Sequence, residues 1–149
     1  MSDPTYMAQR APFLQQLRDA DTRRAPDFHA GGIMDWSPAE RGNELAGEVG
    51  ELCNELKKLL RFDRQHGVKV EAPDRVTFPS ERGESGVQTD YVWNLREKRE
   101  AIVQRARLEL GDVMVCIDLV AAVLGVDVEA ATREKFNATS DKIGSTVRL

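Results

Sequence analysis

Four glutamates, Glu44, Glu48, Glu51 and Glu55, fall at steps of four, three and four residues in the run NELAGEVGELCNELKK, residues 43–58. On a helix that spacing keeps all four on one stripe. Leu45, Val49, Leu52, Leu56 and Leu59 repeat at the same interval and form an apolar stripe about 90° further round. The acids should therefore border a core rather than face open water. A second pair, Glu109 and Asp112, stands three residues apart inside LELGDVMVCIDLVAAVLG, residues 108–125. That run is apolar nearly all round, which predicts a buried helix. Carboxylates held against a core repel one another and lose solvation, so they stay ionised only with a cation among them. Magnesium, bound through carboxylate oxygens and open to phosphate oxygens, is the simplest such cation, and Mn²⁺ suits the same donors. Such an ion bridges phosphate oxygens, neutralises developing charge and acidifies a bound water that attacks phosphorus in line.

The elements that must position these acids are helices. Ser37-Pro38-Ala39-Glu40 combines a capping box with proline at the first helical position, so a helix should run from Ser37 to about Arg64. A second long helix should start at Thr89 or Asp90, run from about Tyr91 to Leu124 and stop at Gly125. Asp127 caps a last helix through about Lys142, with Gly144 beyond its end. Residues 65–90 hold two prolines and three glycines with no sustained period. They read as a long irregular insertion between the two acid-bearing helices, with a small hairpin from Val68–Val70 and Arg75–Phe78. Ahead of Ser37, residues 1–35 read as an N-terminal arm: one short amphipathic helix over Tyr6–Leu17, then a loop over 18–35 around Pro26 and Gly31-Gly32. The expected architecture is a single all-α domain over 1–149, a helical bundle in which the two acid pairs face each other.

Composition bounds the remainder. A chain of 149 residues suits one domain. A formal net charge of −4 gives no general footprint for nucleic acid. Cys53 and Cys116 sit in helical apolar patterns and read as reduced core residues. MSDPTYMAQRAP lacks an apolar leader core, and the longest apolar stretch, Val113–Val126, is broken by Asp118. No membrane partner is expected, and the expected location is the cytoplasm.

The pattern ELAGEVGELCNELKK followed by ELGD resembles the EExxE…ExxD signature of the all-α nucleoside triphosphate pyrophosphohydrolases. This is the MazG-like group, which includes dimeric dUTPases and dCTPases. The tail REKFNATSDKIG also resembles a MazG-like subgroup with KFN near its C-terminus, and together the two stretches span most of Trp36–Gly144. The resemblance implies Mg²⁺-dependent cleavage of an NTP or dNTP between the α and β phosphates, giving the monophosphate and pyrophosphate. The metal ligands it implies are Glu48, Glu51, Glu109 and Asp112. Gly47 stands where the signature has the first glutamate of its doublet, so an extra contact from Glu44 or Glu55 is one alternative and its loss another. The interval from Glu51 to Glu109 is longer than the signature's, because of the 65–90 insertion.

Phosphates need cations besides the metal. Lys57, Lys58 and Arg61 follow the acid stripe, and Lys58, nearest the acidic face, is the first candidate for a β or γ phosphate. Lys135 and Asn137 in the KFN segment come next. Asn54 beside the acids could bond a sugar or base, and Trp36 could stack on a base or staple the helix start. Glu48 or Glu51 would orient the attacking water. Each has a plainer counterpart: Glu44 and Glu55 as a solvated face, Lys58 as a charge offset, Asp118 as a structural or interfacial acid. A di-iron bundle would need Glu-x-x-His pairs that His29 and His66 do not supply. A nucleic-acid binder using Arg96–Arg107 would lack any recognised motif. The competing reading is a non-catalytic helical interaction module. A bundle of this size would leave apolar helix faces exposed, so a homodimer or homotetramer is expected. The base, the sugar and the number of metal ions are not fixed by these residues.

Overall fold

The structure is a computed structural model that describes residues 12–79 and 86–149. Its described residues form four α-helices and one two-stranded hairpin, so the chain is all-α as expected. The helices are α1 (Phe13–Phe28), α2 (Pro38–His66), α3 (Gly86–Leu124) and α4 (Val128–Lys142). The hairpin pairs β1 (Lys69–Ala72) with β2 (Arg75–Thr77), with Lys69 opposite Thr77 and Val70 opposite Val76. No helix among the described residues is long and apolar enough to cross a membrane.

The start of α2 follows the sequence closely. The Ser37 backbone N–H donates to Glu40 Oε2 at 2.7 Å, and Glu40 N–H donates to Ser37 Oγ at 3.3 Å, the reciprocal pair of a capping box. Its end is equally specific. Gly67, at φ 62°, donates to the Arg64 carbonyl while Val68 donates to that of Asp63, so a left-handed residue satisfies the last orphan carbonyls. Gly125, at φ 65°, closes α3 in the same way on Ala122 and Ala121. Asp127 caps α4 by accepting from Ala130 N–H at 3.0 Å.

The described backbone differs from the sequence reading in two places. Residues 18–28, expected as loop, complete α1; the start of the arm expected over Tyr6–Leu17 lies outside the described residues. Charge mixing there reflects helical pairing: Arg24 bonds Asp21 at 2.9 Å three residues away, and Gln15 bonds Asp19 at 2.8 Å. Pro26 falls in the final turn, and the helix stops two residues later. The expected small hairpin forms over 69–77, but α3 begins at Gly86, ahead of the expected caps Thr89 and Asp90.

The chain resolves into two compact units. In the first, whose described residues are 12–46 and 114–149, α1 packs against a 3₁₀ turn at Gly32–Asp35. Arg18 reaches from α1 to the last turns of α3 and grips buried Asp118 through two guanidinium nitrogens at 2.8 and 2.9 Å. Ala25, Cys116, Leu119 and Ala121 are buried in this unit. The second unit, residues 47–113, is a helical hairpin of α2 and α3 closed by the strands. Its cross-links run antiparallel, Asp63 to Arg99 at 2.9 Å and Glu55 to Arg105 at 3.1 Å. Phe78, Val92 and Leu95 form its closed end with Phe62, Val68 and Val76, and Arg96 lies over the Phe78 ring at 4.8 Å.

The apolar run of α3 is not buried all round, in contrast to the expectation from its composition. Val113, Cys116 and Leu119 are buried, but Leu108, Leu110 and Asp112 are exposed. On α2, Val49, Leu56 and Leu60 are exposed as well, and so is Cys53, expected in the core. The helices bury one stripe each within the chain and leave the neighbouring apolar stripe uncovered. Neither cysteine forms a disulfide.

Candidate metal centre

The second unit brings three of the four proposed ligands together. Glu48 on α2 and Glu109 and Asp112 on α3 each offer a carboxylate oxygen, and these oxygens lie within 4.8 Å of one another. Two features of the chain produce this. The spacing of three residues puts Glu109 and Asp112 on one face of α3, and the antiparallel register that pairs residue 55 with 105 carries on two turns to set residue 48 against 112. Glu48 and Glu109 are half-buried and Asp112 is exposed, so the cluster lies at a rim with one side open.

The donor set fits a hard divalent cation. All three ligand atoms are carboxylate oxygens, the preferred donors of Mg²⁺. Adjacent oxygens of an octahedral shell with bonds of about 2.1 Å are about 3.0 Å apart and opposite ones about 4.2 Å, so carboxylate oxygens within 4.8 Å of one another would draw in to share one ion. Three protein ligands leave positions for water and phosphate oxygens.

Glu51 is exposed one turn from Glu48 and is not among the converging oxygens. Glu44 and Glu55, the alternatives for an extra metal contact, are engaged elsewhere. Glu44 accepts from Arg41 at 2.9 Å. Glu55 is buried and accepts from Lys58 on its own helix and from Arg105 on α3. The Lys58 ammonium, and with it the Arg105 guanidinium, hold the Glu55 carboxyl below the usual range despite desolvation. Lys58, the first phosphate candidate, is thus an ion-pair partner whose side chain is still half exposed.

The other proposed substrate contacts divide. Asn54 is exposed on α2. In the first unit, Trp36 packs against His29 with ring centroids 4.5 Å apart, and the Arg41 guanidinium lies 4.8 Å from its centroid. Its ring thus meets a histidine and a guanidinium at the start of α2, in place of the apolar partner that a hydrophobic staple uses. Asn137 clamps the C-terminus, accepting from Leu149 N–H at 3.0 Å and donating to its carbonyl at 3.4 Å. Lys135 lines an apolar groove with Phe136, Ile143 and Val147. Asp118, paired with Arg18, is structural.

Sequence reasoning missed the role of Arg105. It lay in the basic run 96–107, read only as a weak nucleic-acid feature, yet it stands four residues from Glu109 and seven from Asp112, a spacing that places it on the acids' face. It also missed two buried polar groups of the first unit. Burial raises the Asp21 carboxyl above its usual range, and Asp21 Oδ2 and Arg41 Nε are buried without hydrogen-bond partners. Compared with protein-family models, with curated proteins and with solved structures, the chain matches none.

Proposed function

We propose that this protein is a Mg²⁺-dependent nucleoside triphosphate pyrophosphohydrolase of the MazG-like all-α type, acting as a homodimer or homotetramer. The convergence of Glu48, Glu109 and Asp112 from two antiparallel helices carries the reading. Like charges at that separation disfavour one another and are retained where a cation joins them. A divalent ion held there supplies Lewis acidity toward phosphate oxygens. The chain's own groups do the rest. Glu48, Glu109 and Asp112 hold the ion and so fix the triphosphate's orientation. In this reading Glu51, one turn away and outside the trio, orients the attacking water and takes its proton, a role the sequence leaves open between Glu48 and Glu51. Water oxygen bonds to the α phosphorus as the bridge to the β phosphorus breaks, and the bridging oxygen leaves with pyrophosphate.

The exposed leucines of α2 and α3, with Leu56 48% and Leu108 61% exposed, support self-association. They equally favour the second reading, a non-catalytic interaction module. A panel of NTPs and dNTPs incubated with Mg²⁺, with Glu48→Gln and Glu109→Gln alongside, separates the two. Monophosphate plus pyrophosphate, lost in both variants, is the expected result. Diphosphate plus orthophosphate would refute the bond assignment, and no turnover with both variants folded would favour the module. Light scattering should give at least a dimer; a monomer at working concentration would refute that part.

A further inference from the structure

Glu55, Lys58 and Arg105 form a cluster that the metal ligands do not use. Glu55 is 7% exposed and joins two cations from facing helices: Lys58 from its own, Arg105 from α3 at 3.1 Å. One carboxylate between two cations leaves the group with a net charge of +1. The two cations are not consumed by the contact. Their side chains are 49% and 51% exposed, and Arg105 bonds Glu55 through Nε rather than through a terminal nitrogen of its fork.

Position gives this cluster its direction. Glu55 is seven residues from Glu48, and Arg105 is seven from Asp112 and four from Glu109. Seven residues are within about 20° of two full turns, so both lie on the acids' faces, displaced about 10 Å along the helices. Because α2 and α3 are antiparallel, both displacements run toward the strand end of the hairpin. An anion held at the carboxylate trio by a metal and extending along the helix pair toward the strands would meet Lys58 and Arg105 next.

We propose that Arg105 and Lys58 are a two-cation clamp for the phosphates beyond the metal, and that Glu55 is the positioning residue that holds them across the groove. The assignment rests on the pyrophosphohydrolase reading and extends it: the clamp binds the part of a triphosphate that leaves as pyrophosphate. A bidentate guanidinium beside an ammonium selects a doubly or multiply charged phosphate chain over a monophosphate. The buried carboxylate keeps both cations fixed at the cost of some of their attraction for an anion.

The test is calorimetric binding of inorganic pyrophosphate, in EDTA and again with Mg²⁺, to the wild type, Arg105→Gln, Arg105→Lys, Glu55→Gln and Arg107→Gln. Arg107 is an exposed arginine two residues on, off the acids' face, and controls for loss of charge alone. Arg105→Gln should weaken pyrophosphate binding by roughly tenfold or more, Arg105→Lys by less, and Arg107→Gln by under about twofold. Glu55→Gln should weaken binding although it removes a negative charge; tighter binding would refute its positioning role. Arg105→Gln binding as the wild type does, or a wild type that binds no pyrophosphate in either condition, would overturn the clamp. The stabilisation by Mg²⁺ alone depends on the acid trio and not on Arg105, so it should survive Arg105→Gln. Its absence from the wild type would instead refute the metal centre.

Discussion

Replacing Glu109 by glutamine should raise the stability of the metal-free protein and cut its response to magnesium to about a third. The three carboxylate oxygens lie within 4.8 Å of one another. Two unit charges at that distance repel by about 0.9 kcal/mol in a water-like dielectric. Glu109 takes part in two such pairs, roughly 2 kcal/mol, of which salt and neighbouring cations leave about half. Removing its charge should therefore add about 1 kcal/mol, a rise of about 2–4 °C in Tm for a chain of this length. Magnesium at ten times its dissociation constant adds about 1.4 kcal/mol to the wild type, a further shift of about 3–6 °C. Losing one of three ligands should weaken binding about tenfold, leaving about 0.4 kcal/mol at the same concentration. Thermal melts of both proteins in EDTA and with Mg²⁺ read all four values. A variant that melts below the wild type in EDTA and gains as much from Mg²⁺ would show that the three acids are a solvated face rather than a metal centre.

Two further perturbations probe the first unit. Arg18→Ala should cost about 3 kcal/mol, because it leaves the Asp118 carboxylate, 5% exposed, without its guanidinium. Asp118→Asn in the same background should restore much of that in denaturant melts, and additive losses would refute the pairing account. Asp21→Asn has a sign set by pH. Burial, with the Asp118 charge adding to it and Arg24 opposing, raises the folded-state pKa of Asp21, so its ionised form costs stability above that pKa and the cost is relieved as pH falls through it. The variant should be more stable than the wild type at pH 7 by no more than about 1 kcal/mol, with the gap closing toward pH 4. A gap that widens on acidification would refute the assignment.

The sequence disclosed the elements whose signals are local. The capping box at Ser37–Glu40, the stop at Gly125 and the cap at Asp127 are each written within a few residues, and each stands in the structure. So does the pairing of Glu48 with Glu109 and Asp112, because helical spacing fixes which acids share a face. What was not legible depended on distant partners. Asp21 and Arg18 read as loop charges until α1 is seen against Asp118, a hundred residues away. Glu55 read as one more acid of the stripe, but the register that brings Arg105 to it makes it an ion-pair hub instead. The apolar α3 run could not disclose that Leu108 and Leu110 stay uncovered within one chain, since composition gives the hydrophobicity of a face and not the identity of its cover.

The helical register deserves weight in its own right, since it joins the acids to the cations. The sums of paired residue numbers along the groove, 63 with 99, 55 with 105 and 48 with 112, stay near 160, which is the arithmetic of two antiparallel helices advancing together. A slip of one residue would rotate one helix by about 100° relative to the other and part both the carboxylate trio and the Glu55–Arg105 pair. The closed end prevents such a slip. Gly67 turns the chain at the end of α2, β1 and β2 pair in a fixed register, and Phe78, 3% exposed, seats the second strand's exit on Val92 and Leu95 of α3. The segment that reads in sequence as an insertion interrupting the two acid-bearing helices thus sets their alignment. Truncating Phe78 should part the carboxylate trio from the far end of the hairpin, through register rather than through any contact with the acids, and so reduce the Mg²⁺-induced rise in Tm that tests the proposed metal centre.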